Sequence, residues 1–598
     1  MLSTISLYPR MLPYIFGENH EGINLNLGGP IIGEIKYFEK DGRPSYDTNR
    51  LVNNEFIAGL WENISLITAI VGRNGTGKTS ILKSIKNDEL LAIDENNQAT
   101  YTNERLIIYY SPFLSYNEER DEGNNVINIS KYSQLKSDLK GDELGISSLL
   151  EVHNSEFIKR LITLAFNESV YSELLSLGLP EIDYIKVKLL KMNEKDWNIS
   201  MNFRPFFDLL DEIRDNERIK REQFFIEKLG LTDHFRENEE YRKESYKIRL
   251  EHEIINSIIL KIKRILEYTG NRYLEEGFVS EFENFKDFQS YKDAFYWFID
   301  NAYFEFSKGS RILFPVENIK SFTEKLLSML NKQENFDNWL EFHCDKQDAY
   351  ELIDLYIKFI LSFKRNFTFD DYPILEFSTN KELSSGEKAM FEIFSLMNEV
   401  KANIERGIIE NMPSSDKYLI LLDEADMGFH PTWKKKYINL LVKILPLIFV
   451  DKQIQIIFTT HDPLTLSDIP ASNIIFLDKG QDNKTILVDR KTKNTFGANI
   501  SELLADSFFV EDGLIGDFAK SKIEEIINWI NENKNNKNRS EEFFMKLDFY
   551  KRIIEIVDER ILKIKLSEMI SELEGNTEFR KRVILKEIDN LTNQLEDL

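Results

Sequence analysis

Gly72-Arg73-Asn74-Gly75-Thr76-Gly77-Lys78-Thr79 follows the spacing G-x-x-x-x-G-K-[ST]. Its glycines let the backbone curl until successive N–H groups point at one spot, an anion nest at a helix N-terminus. The chemistry this implies is phosphate binding. Lys78 would reach the β- and γ-phosphates of a nucleoside triphosphate, Thr79 would offer its hydroxyl to Mg²⁺, and Ser80 would begin the helix beside them. A glycine-rich turn that binds nothing is the alternative, and the apolar run before the loop argues against it. Residues 419–424 are a second apolar run, ending in two acids. Asp423 would hold Mg²⁺ through water opposite Thr79, and Glu424 would orient or deprotonate the attacking water. Thr459-Thr460-His461 ends a third apolar run. A lone histidine is most often a structural residue, but one at a strand end, after both nucleotide motifs, belongs with the site.

These residues need a sheet to bring them together. Ile64, Leu66, Ile67, Ala69, Ile70 and Val71 read as a buried strand feeding the glycine loop, and residues 80–85 as the helix that follows. Short apolar runs at 105–111, 417–422, 453–458 and 473–477 suit a parallel sheet covered on both faces. Residues 22–27, 31–38 and 55–60 favour β-structure and are expected to form the sheet flanking the glycine loop. Between 113 and 370 the texture becomes helical. Ile255, Ile258, Ile259, Ile262 and Leu266 recur at helical spacing, as do Ile319, Phe322, Leu326 and Leu330, and then Leu352, Leu355, Tyr356, Phe359, Ile360 and Phe363. No heptad is sustained there, so a coiled-coil arm is not expected. Residues 520–532 and 543–573 are again helical. A closing stripe, Ile584, Ile588, Leu591, Leu595 and Leu598, would pair with a partner helix or lie on its own domain. The expected fold is α/β: a P-loop ATPase head of mixed β-sheet flanked by helices, with a large helical insertion and a helical C-terminal extension. The expected division is 1–112 and 371–500 for the two head lobes, 113–370 for the insertion and 501–598 for the extension.

The chain has 598 residues, 42% hydrophobic and 30% charged, which suits a folded multidomain protein rather than a disordered one. No apolar run is long enough to span a bilayer, and nothing at the N-terminus reads as a secretory signal. Cys344 is the single cysteine, which rules out an intrachain disulfide and a thiolate-cluster zinc site and fits a reducing cytoplasm. A formal net charge of −25 disfavours indiscriminate coating of nucleic acid while leaving room for a local basic groove or a basic partner.

Leu383-Ser384-Ser385-Gly386-Glu387 by itself is a serine-rich helix start, with Ser384 or Ser385 a natural N-cap. Lying between the glycine loop and the acidic strand, it resembles the signature motif of ATP-binding-cassette ATPases. The resemblance rests on four motifs in order, over residues 50–112 and 375–480. It implies ATP and Mg²⁺ as ligands and a dimer with two composite sites. In such a dimer Ser384, Ser385, Gly386 and Glu387 of one copy would cap the γ-phosphate held by the other copy's loop. It also implies that His461 is the switch histidine contacting the γ-phosphate and that residues 425–429 pass between subunits. Two departures stand out. The family's metal-sensing glutamine is missing from residues 109–111, leaving Ser111 to stand in or the ligand lost, and Ala425 follows Glu424 where proline is common. Residues 423–426 also spell DEAD, as in helicases, but such proteins have no LSSGE and need a second RecA-like domain.

A cassette split at 113–370, with His430-Pro431 and the run 459–470, resembles the non-transport branch of the family. That branch holds DNA-repair and chromosome-organising ATPases, overcoming-lysogenization-defect nucleases and ATPases of anti-phage systems. Residues 494–520 and the helical tail are similar to the ATPase subunits of Septu-type defence, including retron-associated versions, which act beside a separate HNH nuclease. This resemblance implies a self-associating ATPase, as a dimer or a higher oligomer, with a separate nuclease effector and no membrane partner. Nucleic acid, DNA or retron RNA and its msDNA, would be reached through the complex. Val510-Glu511-Asp512-Gly513 looks like the start of a Toprim site, but no D-x-D follows and the seven histidines do not cluster, so no nuclease centre is expected in this chain. The first reading is therefore an ATP-driven switch. A repair-type ATPase gripping DNA, with Lys434-Lys435-Lys436 as its short basic run, is the second, and an ATP-dependent scaffold with negligible turnover is the third.

Overall fold

Six buried residues open the chain as β1 (Leu2–Leu7) in a computed structural model of the protein. The short helix α1 (Pro13–Phe16), β2 (Ile23–Asn26) and the hairpin of β3 (Ile31–Lys40) and β4 (Arg43–Val52) come next. After them follow β5 (Ile64–Gly72), α2 (Lys78–Asn87), β6 (Leu91–Asp94), β7 (Ala99–Tyr101) and β8 (Leu106–Tyr110). The structure describes residues 1–40, 43–114, 125–138, 146–190, 204–229, 235–268, 288, 290–301, 303–305, 311–333, 341–362, 373–408, 415–488, 495–498, 517–534, 539–557 and 559–596. They fall into two compact units, Met1–Leu503 and Leu504–Leu598.

The segment after β8 carries β9 (Val126–Asn128), α3 (Lys131–Asp138), α4 (Ile146–Phe166), α5 (Glu168–Ser176) and β10 (Ile185–Leu189). It continues with α6 (Arg204–Leu229), α7 (Glu239–Tyr268), α8 (Tyr291–Asn301), β11 (Tyr303–Glu305), β12 (Arg311–Leu313), α9 (Val316–Asn331), β13 (Glu341–Cys344) and α10 (Lys346–Ser362). The expected stripes lie on α7, α9 and α10, apart from Phe363, which is outside the described residues, and Ile255, Phe322 and Tyr356 are fully buried. Helices do not account for the whole segment. Ile185, Val187 and Leu189 alternate inward with Lys186 and Lys188 outward, a period-2 signal, and β10 pairs with β13 on one side and with β14 (Leu375–Thr379) on the other. This small sheet ties the helical segment to the chain that leads into α11 (Ser385–Glu405). A buried polar network reinforces the tie. Lys261 and Tyr356 both bond Glu151 of α4, and the Tyr356 hydroxyl accepts the N–H groups of Ile374 (2.9 Å) and Leu375 (3.2 Å). Lys131 of α3 also reaches Glu392 of α11 at 2.5 Å.

The remaining elements of the first unit are β15 (Lys417–Asp423), α12 (Pro431–Ile448), β16 (Gln453–Thr459), α13 (Pro463–Leu466), β17 (Ile474–Lys479) and β18 (Thr485–Val488). Among the described residues the main sheet has the order β18-β17-β5-β16-β15-β8-β9, parallel throughout except for the β17–β18 pair. Register decides what meets at its carboxyl edge: Asp423 lies opposite Thr459, and Thr459 opposite Ile70. One face of the sheet, with Leu66, Ile70, Tyr109, Leu419, Leu421 and Ile457, packs on Ile81, Leu82 and Ile85 of α2. Burial of each such side chain contributes about 1.5–3 kcal/mol, which fixes α2 and the loop before it against the strand ends.

The N-terminal strands do not simply extend this sheet. β2, β1, β6 and β7 form a four-stranded sheet of their own, and β3 and β4 a separate hairpin. Residues 55–60, expected as a strand, are a series of turns closed by Phe56 N–H to Asn53, Leu60 N–H to Ile57 and Glu62 N–H to Gly59, with Gly59 and Glu62 at positive φ. The second unit contains helices Asp517–Asn533, Glu541–Ile556, Arg560–Glu574 and Glu578–Glu596 around Ile526, Ile530, Tyr550, Ile554 and Ile570. The single pattern expected over 543–573 is thus two helices, and Gly575 in the left-handed region ends the second. Phe579 and Val583 turn the last helix inward while Ile588 is half exposed, and Leu598 lies outside the described residues. Residues 499–516, including 510–513, also lie outside them. Among the described residues no helix is long and apolar enough to cross a membrane.

Candidate functional site

The turn from β5 into α2 is built by glycines where no other residue fits. Gly75 and Gly77 have φ of 78° and 89°, and a Cβ on Gly72 would meet Leu477 O at 2.6 Å. Asn74 and Gly75 are exposed at the tip, Thr76 donates its hydroxyl to Arg73 O at 2.8 Å, and Arg73 lies 3.3 Å from Asp478 at the end of β17. Lys78 folds back over the loop, donating to the carbonyls of Gly72 (3.2 Å) and Arg73 (3.4 Å). Contacts this long are weak and easily exchanged for phosphate oxygens. Burial holds the Lys78 ammonium below its usual range, opposed by Glu424 and Asp423. Such a desolvated cation gains more from an incoming anion than an exposed one would.

Asp423 is the hub. Its Oδ1 accepts from Thr79 (3.0 Å) and from Thr459 (2.8 Å), and its Oδ2 from Tyr109 (3.4 Å). Burial pushes its carboxyl above the usual range, with the three hydroxyl bonds pulling the other way. Thr459 also accepts the Glu424 N–H at 2.9 Å, so one hydroxyl fixes both acids. Glu424 itself sits at φ 48°, a left-handed conformation costing about 1–3 kcal/mol, which turns its side chain off the strand. His461 Nε2 lies 3.1 Å from its Oε1, and that bond is the main reason Glu424 titrates below the ordinary carboxylate range. The two neighbouring acids are therefore pushed apart, one up and one down. With His461→Gln the acid limb of the pH–rate profile for nucleotide turnover is expected to move to higher pH. An unmoved limb would detach His461 from Glu424's ionisation.

The donor set suits a hard cation. One hydroxyl and one carboxylate are too few to hold an ion alone, as for Mg²⁺, which keeps waters and takes substrate phosphates. Among the described residues no group of three His, Cys, Asp or Glu side chains could hold a metal by itself.

The structure brings Lys78, Thr79, Asp423, Glu424 and His461 to one sheet edge. Ser384, Ser385, Gly386 and Glu387 are placed at the start of α11, and the side-chain hydrogen bonds described for them are among themselves. Ser384 caps Glu387 N–H at 3.3 Å while Glu387 accepts the Ser384 N–H at 2.8 Å, a reciprocal capping box. Ser384 and Ser385 are exposed, and Gly386 is buried where a Cβ would meet Trp433 at 2.8 Å. In the loop after Glu424, Asp426 accepts from Thr460 (2.5 Å) and Thr465 (2.8 Å), which anchors 425–429 to the chain around His461. Ser111 is buried, its hydroxyl at a long 3.5 Å from Phe113 N–H and its carbonyl accepting Lys131 N–H at 2.9 Å, whereas Tyr109 reaches the metal-side acid. Tyr109 and Thr459 lie within stretches that the motifs mark, but no motif assigns either a bond to Asp423. The only sequence signal is their position at the ends of apolar runs, two residues apart in register from Asp423 or level with it.

No protein-family model matches the chain. Among curated proteins it is similar to the "Retron Vc95 probable ATPase" of Vibrio cholerae serotype O1 biovar El Tor, 25% identical over 292 residues, 44% of this chain and 52% of that one. It is similar to the "Retron Ec83 probable ATPase" of Escherichia coli, 33% identical over 105 residues, 17% of each chain. It is also similar to the "Septu protein PtuA" of Bacillus thuringiensis, 26% identical over 234 residues, 38% of this chain and 50% of that one. The first and third matches span about half the length of those relatives.

Proposed function

We propose that this chain, similar to proteins named as retron ATPases and Septu PtuA, binds and hydrolyses MgATP and works as a dimeric switch that controls a separate effector, a nuclease, in anti-phage defence. The observation carrying the ATPase reading is the convergence on Asp423, where hydroxyls from the glycine-loop helix, β8 and β16 meet one carboxylate beside Lys78 and Glu424. Mg²⁺, held by Thr79 and Asp423, would neutralise phosphate charge. Lys78 and the loop N–H groups bind the triphosphate, Glu424 accepts the proton of the attacking water, and His461 keeps Glu424 ionised. Exposed Ser384 and Ser385 at a helix N-terminus, where the side-chain bonds described are those of the cap, support their serving a second copy's triphosphate.

Steady-state phosphate release by the purified chain tests this. Wild type is expected to turn over ATP and Lys78→Ala to fall to background; equal rates would assign the activity to another site or a contaminant. The nuclease arm rests on the resemblance to Septu-type ATPases. It predicts that the complex isolated from its host weighs more than a homo-oligomer and cuts nucleic acid, whereas a bare homo-oligomer would contradict it. The DNA-gripping alternative leans on Lys434-Lys435-Lys436, of which Lys434 pairs with Asp462 (2.6 Å) and Lys436 with Leu177 O (2.9 Å), so two of its three cations are engaged within the chain.

A further inference from the structure

A second cleft, of about 740 Å³, opens beside the N-terminal sheet and is lined by Tyr8, which follows β1, Tyr37 of β3, Tyr46 of β4 and Tyr101 of β7. The hairpin register sets Tyr46 opposite Tyr37, so both rings stand on one face, and the Tyr8 and Tyr37 centroids are 5.5 Å apart at 59°. Tyr46 and Tyr101 are 43% and 37% exposed, leaving ring surface open to a ligand. Arg10, exposed, adds a cationic donor to the lining and His20, also exposed, a hydrogen-bonding ring, against one acid, Glu39. Tyrosine faces accept stacked bases without regard to sequence, guanidinium groups bind phosphate, and the volume is that of a small-ligand site. A basic peptide would meet Arg10 as a like charge.

This cleft and the glycine loop share one stretch of chain. Residues 8–10 line the cleft, and five residues further on Ile15 lies against the loop, where a Cβ built on Gly77 would come within 2.4 Å of Ile15 Cδ1. Between them Arg10 and Leu12 are held at φ 61° and 51°, and Met11, Leu12 and Phe16 pack on the core beneath α2. A short stretch of chain, with Ile15 buried and Met11, Leu12 and Phe16 half-buried, thus links the cleft to the phosphate loop.

We propose that this cleft is an effector site for a nucleotide unit, free or within a single strand, and that residues 8–16 relay its occupancy to the phosphate loop. The relay deepens the ATPase reading and rests on it; the binding does not. The test uses the full chain carrying Lys78→Ala, so that the phosphate loop is silenced, and a labelled oligothymidylate of about 12 nucleotides followed by anisotropy. Binding is expected, with Tyr46→Ala/Tyr101→Ala weakening it about tenfold or more and Tyr46→Phe/Tyr101→Phe retaining it at unchanged melting temperature. Displacement by thymidine monophosphate would identify the free nucleotide as sufficient, and failure to displace would identify the strand as the source. No binding, or equal binding by the alanine variant, overturns the site. In the wild-type chain a non-hydrolysable ATP analogue and the oligonucleotide should alter each other's affinity by the same factor. Binding without mutual effect overturns the relay, whether or not the chain proves to hydrolyse ATP.

Discussion

Glu424→Gln lowers kcat for ATP by about 10²–10⁴-fold while ATP affinity stays within a few-fold of wild type. The amide keeps the shape of the side chain and can still hydrogen-bond His461, so the left-handed turn at 424 and the Thr459 bond to its N–H persist. What disappears is the ionised carboxylate that would accept the proton of the attacking water. Asp423 is committed to three hydroxyls and is driven toward its neutral form by burial, so it makes a poor substitute. Single-turnover kinetics with nucleotide prebound separate this loss from a binding defect. A variant that turns over normally would remove Glu424 from the chemistry.

Asp423→Asn is expected to be silent in turnover and, without nucleotide, more heat-stable than wild type. The sign follows from the raised carboxyl. A folded pKa above the unfolded one means that stability is greatest below the unfolded pKa and is lost as pH rises through the folded value, so the ionised group is a liability at neutral pH. The amide removes that charge and can keep one acceptor for Thr79 and Thr459. By the same reasoning, Mg²⁺ with nucleotide should raise the melting temperature of wild type and leave the variant unmoved. A variant less stable than wild type at every pH would mean that the hydroxyl bonds outweigh the buried charge.

The parts of this site that were legible in the sequence are those where chemistry is written into consecutive residues. The glycine loop, the acid pair after 419–422 and the histidine after 453–458 each announce themselves, and the sheet order then brings them to one edge. Tyr109 and Thr459 do not, because their role depends on pairing register with a strand 314 residues away for the first and 36 for the second. β10 carries a period-2 signal in only five residues, and its place in a sheet is set by β13 and β14 on either side. At 55–60 the apolar residues suggested a strand, but Gly59 and the backbone at Glu62 enforce turns, so local geometry overrides β-propensity. Arg43–Val52, largely polar from Asp47 to Arg50, is a strand because the hairpin supplies its partner.

Everything about the switch turns on whether one copy completes the other's site. Lys78→Ala and Ser385→Glu should each be inactive alone, the first for want of a phosphate ligand and the second by setting a carboxylate against phosphate. If the sites are shared, mixing equal amounts and allowing exchange restores turnover to about a quarter of wild type, because half the dimers pair unlike chains and each of these keeps one intact site. A mixture as inactive as its components, with exchange verified by mass, would contradict the account.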